Sequence, residues 1–273
     1  MNTREVRYVG SLQPKTVAVL RREIKEATRE DFEVLKRALA ADERKGVREA
    51  IATAQRKWDA EAAEQERLAG MYAFQKQAAD GKLLMGLDEV GRGPVAGPLT
   101  VAAVVLPEEP QIEGLNDSKQ ISPENRERIA VEVKKHALAW DIEHISPADI
   151  DELGMSACLR LAFSRAIAAI DEQGLGVEVV LLDGNPLHID EREVNVIKGD
   201  AQCASIAAAS IIAKVERDGL MVDYAQTYPQ YSFDKSKGYA SADHIEAIKK
   251  YGLTPIHRAT FCTSFIEQQQ TLF

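Results

Sequence analysis

Residues 85–107, MGLDEVGRGPVAGPLTVAAVVLP, constrain this chain more than any other stretch. Two apolar runs flank the adjacent acids Asp88 and Glu89 and a Gly91-Arg92-Gly93-Pro94 loop. The runs LLMGLDE and LTVAAVVLP read as strands, and the glycines and proline between them end the first before the second begins. Strands disfavour acidic residues and glycine. Two acids and then a bare backbone at one strand end therefore need a use. Ligand sites in open α/β sheets gather at the carboxyl ends of strands.

Beyond this segment, strands and helices alternate. SPENRERIAVEVKKHA opens on a serine cap with proline at the first helical position. AWDIEHIS alternates like a strand. SPADIDELGMSACLRLAFSRAIAAIDEQG is a long helix broken near Gly154, and VEVVLLDG is a continuous apolar strand of the kind covered on both faces. REVNVIKGD is a further strand, AQCASIAAASIIAKVERDGLMVDYAQTYP a small-residue helix able to pack close to a sheet, and SADHIEAIKKYG a last amphipathic helix. The expectation is an α/β fold with a mixed central sheet flanked by helices. Residues 17 to about 80 carry helical periodicity with charges of alternating sign, and stop at Gly81. The domains expected are a helical extension over 1–75, a catalytic domain over 76–262 and a tail over 263–273.

Three strand ends carry acids. Asp88 ends the first, Asp183 ends VEVVLLD, and Asp200 ends VNVIKGD; Glu89 makes a fourth carboxylate. Each alone has an ordinary explanation: Asp200 as a helix cap, Asp183-Gly184 as a turn. Together they form a cluster of like charges, which is unfavourable without cations. All-oxygen donors suit Mg²⁺ or Mn²⁺. Neighbouring strand residues point to opposite faces, so Asp88 and Glu89 reach one site only where Gly91 relaxes the backbone. A Gly-x-Ser-x-Gly elbow, a Walker motif and a dinucleotide fingerprint are all absent, and the five histidines lack zinc spacing. His257 in PIHRATF could assist phosphate chemistry, but a lone histidine is more often structural. The residues therefore point to metal-assisted phosphoryl transfer or hydrolysis.

The formal charge of −9 does not exclude a nucleic-acid partner. Of 34 basic and 43 acidic side chains, residues 1–70 hold 15 and 13, so the acidic excess lies in the remainder, where the acid cluster counts as negative until metal arrives. The first ten residues have no apolar signal core, and three widely spaced cysteines form no zinc-like pair. A cytoplasmic protein with reduced thiols is expected. No apolar run reaches the ~18–20 residues of a membrane span.

The blocks GLDEVGRGPVAGP, GLNDSKQIS, LLDGN, VIKGDAQCASIAAASIIAKVERD, YPQYSFDKSKGYASADH and HRATF resemble, in order, those of bacterial ribonuclease HII, the type 2 ribonuclease H. The likeness covers about residues 83–261. It implies a ribonuclease H-like fold and endonucleolytic cleavage of RNA in RNA–DNA hybrids, including cleavage at single ribonucleotides within duplex DNA. The implied mechanism uses two metal ions and leaves 5′-phosphate and 3′-hydroxyl ends. The resemblance puts Asp88, Glu89, Asp183 and Asp200 on the metal-holding acids. Gly91, Arg92 and Gly93 fall on a loop whose backbone reads the ribose 2′-hydroxyl, and Tyr239 on a tyrosine packing against the sugar. Lys119, Lys214 and Arg217 are candidate phosphate contacts, although Lys214 and Asp218 also have the spacing of an ordinary helix pair. Ala240 and Gln120 depart mildly from the family pattern, and Gln120 puts one phosphate contact in doubt.

The end of the chain, FIEQQQTLF, places Gln269, Leu272 and Phe273 in a QxxLF pattern that resembles the peptide by which bacterial proteins dock on the DNA sliding clamp. A tail packed on its own domain is the plainer reading. The chain is expected to be a monomer. The alternatives are a type 3 ribonuclease H and a non-catalytic nucleic-acid or clamp adaptor on a degenerate nuclease fold. The less acidic extension is expected to raise affinity for the hybrid.

Overall fold

A computed structural model describes residues 15–270, with side chains described through 264. The chain divides into two compact units, Met1–Arg67 and Leu68–Phe273. In the first, α1 (Val17–Glu26), α2 (Arg29–Ala38) and the beginning of α3 (Lys45–Ala79) bury Leu20, Ile24, Phe32, Leu35 and Val47. Thr16 and Thr28 cap α1 and α2 through their side-chain oxygens, satisfying N–H groups that a first helical turn leaves unpaired. The helix α3 ends two residues before Gly81, whose φ of 78° lies in the left-handed region that glycine enters at least cost. The last turns of α3, from Leu68, belong to the second unit.

The second unit is built on a five-stranded sheet of order β3-β2-β1-β4-β5. Its strands are β1 (Leu84–Val90), β2 (Leu99–Val105), β3 (Ala139–Ile145), β4 (Val179–Asp183) and β5 (Glu193–Val196). The first three pair antiparallel, while β1–β4 and β4–β5 are parallel, so the sheet is mixed as the alternation of elements predicts. Between and after them come α4 (Pro123–His136), α5 (Pro147–Leu153), α6 (Met155–Asp171), α7 (Ala204–Thr227), α8 (Phe233–Ser236), α9 (Ala242–Tyr251) and α10 (Ala259–Gln270). The expected break at Gly154 is present: its φ of 79° separates α5 from α6.

Period-two alternation decides which strand residue faces which helix. Met85, Leu87, Val180 and Leu182 pack on one face with Phe163, Ile167 and Ile170 of α6. Leu84, Val179 and Leu181 pack on the other with Cys203 and Ile206 at the start of α7. The small residues of α7 let it lie close to this face, and Gly86 sits directly beneath. A methyl at Gly86 would stand 2.5 Å from the Ile206 backbone nitrogen. Among the described residues, no helix is long and apolar enough to cross a membrane.

Candidate active site

The same alternation builds the acid cluster. Asp88 is in phase with Leu84 and Gly86, and Asp183 with Val179 and Leu181, so both acids fall on the α7 face of neighbouring parallel strands. Asp200 is four residues beyond β5, in a short 3₁₀ turn over Gly199–Ala201, and not at a strand end as the sequence suggests. That turn leads directly into α7. Asp200 does not cap this helix: its N-cap is Cys203, without a side-chain hydrogen bond, and the Ser205 N–H is taken instead by Gln75 Oε1 at 2.8 Å. One carboxylate oxygen each from Asp88, Asp183 and Asp200 lies within 4.8 Å of the others. These three could hold a hard cation with oxygen ligands.

Glu89 is outside that group. It precedes the last residue of β1 and has the opposite phase to Asp88, and its Oε1 pairs with Arg92 Nη1 at 3.1 Å. The strand runs one residue past the acids, to Val90, before Gly91 turns the chain at φ 94°.

Burial dominates the electrostatics. Asp88 is 7% exposed, and burial first, then the charge of Glu89, raises its pKa well above the ordinary carboxylate value; the Ser210 hydroxyl and Asp183 act in opposite senses on it. Burial raises Glu89 against the pull of Arg92, and burial followed by Asp183 and Asp117 raises Asp200. Acids that resist ionisation beside one another form a site whose charge a cation would relieve.

The Gly91-Arg92-Gly93 loop leaves Arg92 and Gly93 exposed and Gly91 buried. A Cβ on Gly93 would lie 3.8 Å from Tyr239, whose half-exposed ring stands beside it. Lys119 is exposed and acts on Asp200 electrostatically, so it is near the cluster. Lys214 is partly buried and bound to Asp218 at 2.7 Å, the ordinary helix pair its spacing suggests. Arg217 is fully buried, which counts against its reading as a candidate phosphate contact. Its guanidinium donates to the carbonyls of Pro98 (2.9 Å), Lys237 (3.0 Å) and Ala96 (3.1 Å). Leu272 and Phe273 lie outside the described residues, as does the side chain of Gln269.

One feature escapes sequence reading, and one follows the plainer of its two readings: the place of Arg258 is new, and His257 is structural. Arg258 is fully buried below the Gly91–Gly93 loop. His257 is buried against His244, Nε2 to Nε2 at 3.0 Å, and its Nδ1 accepts the Thr254 N–H at 2.9 Å. His257 therefore donates from Nε2 to His244, whose Nδ1–H donates to the Tyr239 carbonyl at 2.8 Å. The histidine pair is thus a chain of hydrogen bonds ending under Tyr239. The only sequence signal was the proximity of His257 and Arg258 in HRATF.

A mixed sheet of this order, flanked by helices and carrying acids on adjacent strands, is a ribonuclease H-like α/β fold. The profile of the Ribonuclease HII family matches residues 85–264, and that of the Ribonuclease HII N-terminal domain matches residues 16–79. The Ribonuclease HII of Lactobacillus delbrueckii subsp. bulgaricus is 42% identical over 224 residues, 82% of this chain and 86% of that protein. That of Ruminiclostridium cellulolyticum is 45% identical over 207 residues, 75% of this chain and 80% of the relative. Among solved structures, the PCNA:RNase HII complex from Archaeoglobus fulgidus contains a chain similar at TM-score 0.58 and 27% identity, with 66% of this chain and 94% of that one covered. The chain belongs to the ribonuclease HII family, and it is a ribonuclease H enzyme.

Proposed function

We propose that this enzyme cleaves the RNA strand of RNA–DNA hybrids, and cuts at single ribonucleotides embedded in duplex DNA, by metal-assisted hydrolysis leaving 5′-phosphate and 3′-hydroxyl ends. The observation that carries this reading is the adjacency, along one strand and its turn, of the acid cluster and the Gly91-Arg92-Gly93 loop. Asp88, Asp183 and Asp200, with Glu89 beside them, would hold two Mg²⁺ or Mn²⁺ ions. The donor set fits: the oxygens are hard, convergent and partly desolvated. When bound, such ions activate water and stabilise charge on the attacking and leaving oxygens.

The chain's own residues do the rest. The only feature distinguishing ribose from deoxyribose is the 2′-hydroxyl, so the discriminating group must reach it. Glycine at 93 leaves room for a sugar edge, and backbone groups of the loop can donate to and accept from the hydroxyl. Tyr239 offers its exposed ring to the sugar, and Lys119 offers charge to a flanking phosphate. Arg92, exposed and paired with Glu89, would turn toward substrate phosphate when the duplex binds. Cleavage mapping on a DNA duplex with one ribonucleotide, with Mg²⁺ and then Mn²⁺, tests the reading; no cut at the ribonucleotide with either ion refutes it.

Two further readings concern the ends of the chain. The Archaeoglobus relative is solved with PCNA, a precedent for clamp docking through Gln269, Leu272 and Phe273 here; unchanged clamp affinity after removing the last five residues ends that idea. The N-terminal unit would raise affinity for the hybrid, and an unaltered KM after its deletion refutes this.

A further inference from the structure

Arg258 is fully buried, and its cation is matched by carbonyls. Its Nε donates to the Gly97 carbonyl at 3.0 Å, and Nη2 to the same oxygen at 2.8 Å. Nη2 also donates to the Gly91 carbonyl at 2.6 Å, and Nη1 to the Arg92 carbonyl at 3.1 Å. The Phe261 ring lies 5.3 Å from the guanidinium carbon. Burial, with the nearby Arg217 charge second, pulls the Arg258 pKa down to about 10. A buried cation costs free energy that an apolar side chain of similar size would not. Packing alone does not explain an arginine here; the direction of its hydrogen bonds does.

In a planar trans peptide, the C=O of one residue and the N–H of the next point in opposite directions. Arg258 draws the Gly91 and Arg92 carbonyls inward, so the N–H groups of Arg92 and Gly93 must point away from it. Arg92 and Gly93 are the two exposed residues of the loop. The fork of a guanidinium can hold two successive carbonyls in fixed directions, which an ammonium cannot.

The geometry points to Arg258 as a positioning residue for ribose recognition: by holding the Gly91 and Arg92 carbonyls it aims the Arg92 and Gly93 N–H groups at the sugar edge. This rests on the proposed role of that loop as the ribose reader. Arg217 grips the flanks of the loop, at Ala96, Pro98 and Lys237, and not the two peptides that face outward.

The test compares full-length wild type, R258K and G93A for binding a DNA duplex with one ribonucleotide and its all-DNA counterpart, with Ca²⁺ replacing the catalytic ion. Loss of charge-assisted hydrogen bonds should cost R258K about tenfold or more of its preference for the ribonucleotide duplex, with all-DNA binding unchanged. A merely structural arginine would leave that ratio intact. Wild-type preference in a folded R258K overturns the role of Arg258. Wild-type preference in G93A overturns the loop reading on which it rests. Amide exchange in the wild type gives a second measure that needs no variant. The Arg92 and Gly93 amides should exchange freely in the free protein and be protected by the ribonucleotide duplex but not by all-DNA duplex. Protection of both in the free protein overturns the inference.

Discussion

The Asp183 carboxylate accepts the Gly199 backbone N–H at 2.6 Å, and so ties the end of β4 to the turn that carries Asp200. One candidate ligand thereby positions another. Gly199 is crowded: a Cβ there would press on the buried Ile206 side chain, 2.6 Å from its Cδ1, and touch Asp183 Oδ1 at 3.4 Å. Gly199→Ala should displace the turn and weaken divalent-ion affinity by about 10-fold or more, as losses among supporting groups at metal sites do. Isothermal titration with Mn²⁺ reads this directly, and unchanged affinity refutes it.

The acid cluster is a cost to the metal-free fold. Asp88 is buried among like charges, and its pKa is raised in the folded state. Such a group favours folding most below the unfolded carboxylate pKa and loses that contribution as pH rises through the folded value. At neutral pH, Asp88→Asn should therefore stabilise the chelator-treated protein by ~1 kcal/mol, or ~2–4 °C for a unit of this size. Mg²⁺ should raise the wild-type Tm and have much less effect on the variant's. A lower Tm for the metal-free variant contradicts the account.

The two loop glycines should behave differently. Gly91 has φ 94°, and a Cβ there would meet Arg217 and stand 2.6 Å from the Pro98 carbonyl oxygen. Gly91→Ala should cost ~2 kcal/mol or more of stability from backbone strain and clash. Gly93 lacks a positive φ, and its Cβ would meet Tyr239 at an ordinary 3.8 Å. Gly93→Ala should keep the wild-type Tm and raise KM for a single-ribonucleotide duplex. Equal melting losses for both would show that the structural distinction is wrong.

The histidine pair sets an acid limit. Burial lowers both pKa values, that of His257 to about 4 with help from His244. An unfolded histidine takes up a proton near pH 6.5. Both folded values lie below that, so the pair's contribution is complete above about pH 6.5 and is lost as pH falls toward 4. Protonation would set a His257 N–H against the Thr254 N–H. Urea midpoints measured over this range should fall in the wild type and fall less steeply in His257→Asn, whose amide oxygen can still accept from Thr254. Parallel slopes would remove the pair from the explanation.

Legibility followed sequence distance. Asp88 and Asp183 stood out because acids interrupt apolar strands, and strand phase alone puts them on one face. Asp200 was legible as an acid at an element boundary, but the turn beyond β5 that presents it was not. The opposite phase of Glu89 was read from the strand pattern, but that β1 continues to Val90 and leaves Glu89 paired with Arg92 is visible only in the fold. Arg217 was a candidate phosphate contact because helical spacing says nothing about which side a neighbouring loop covers. Arg258 stood in the HRATF block, but its role was hidden because the carbonyls it binds are 161 to 167 positions away.

The central claim is that the Asp88 cluster cuts nucleic acid where a ribose is present. It is tested most directly by incubating wild type and Asp88→Asn, with Mg²⁺ and with Mn²⁺, on a DNA duplex bearing one ribonucleotide, circular dichroism confirming that both are folded. The account predicts a single cut at the ribonucleotide by the wild type, with 5′-phosphate and 3′-hydroxyl ends, and no cut by the folded variant. Full activity in Asp88→Asn would contradict it.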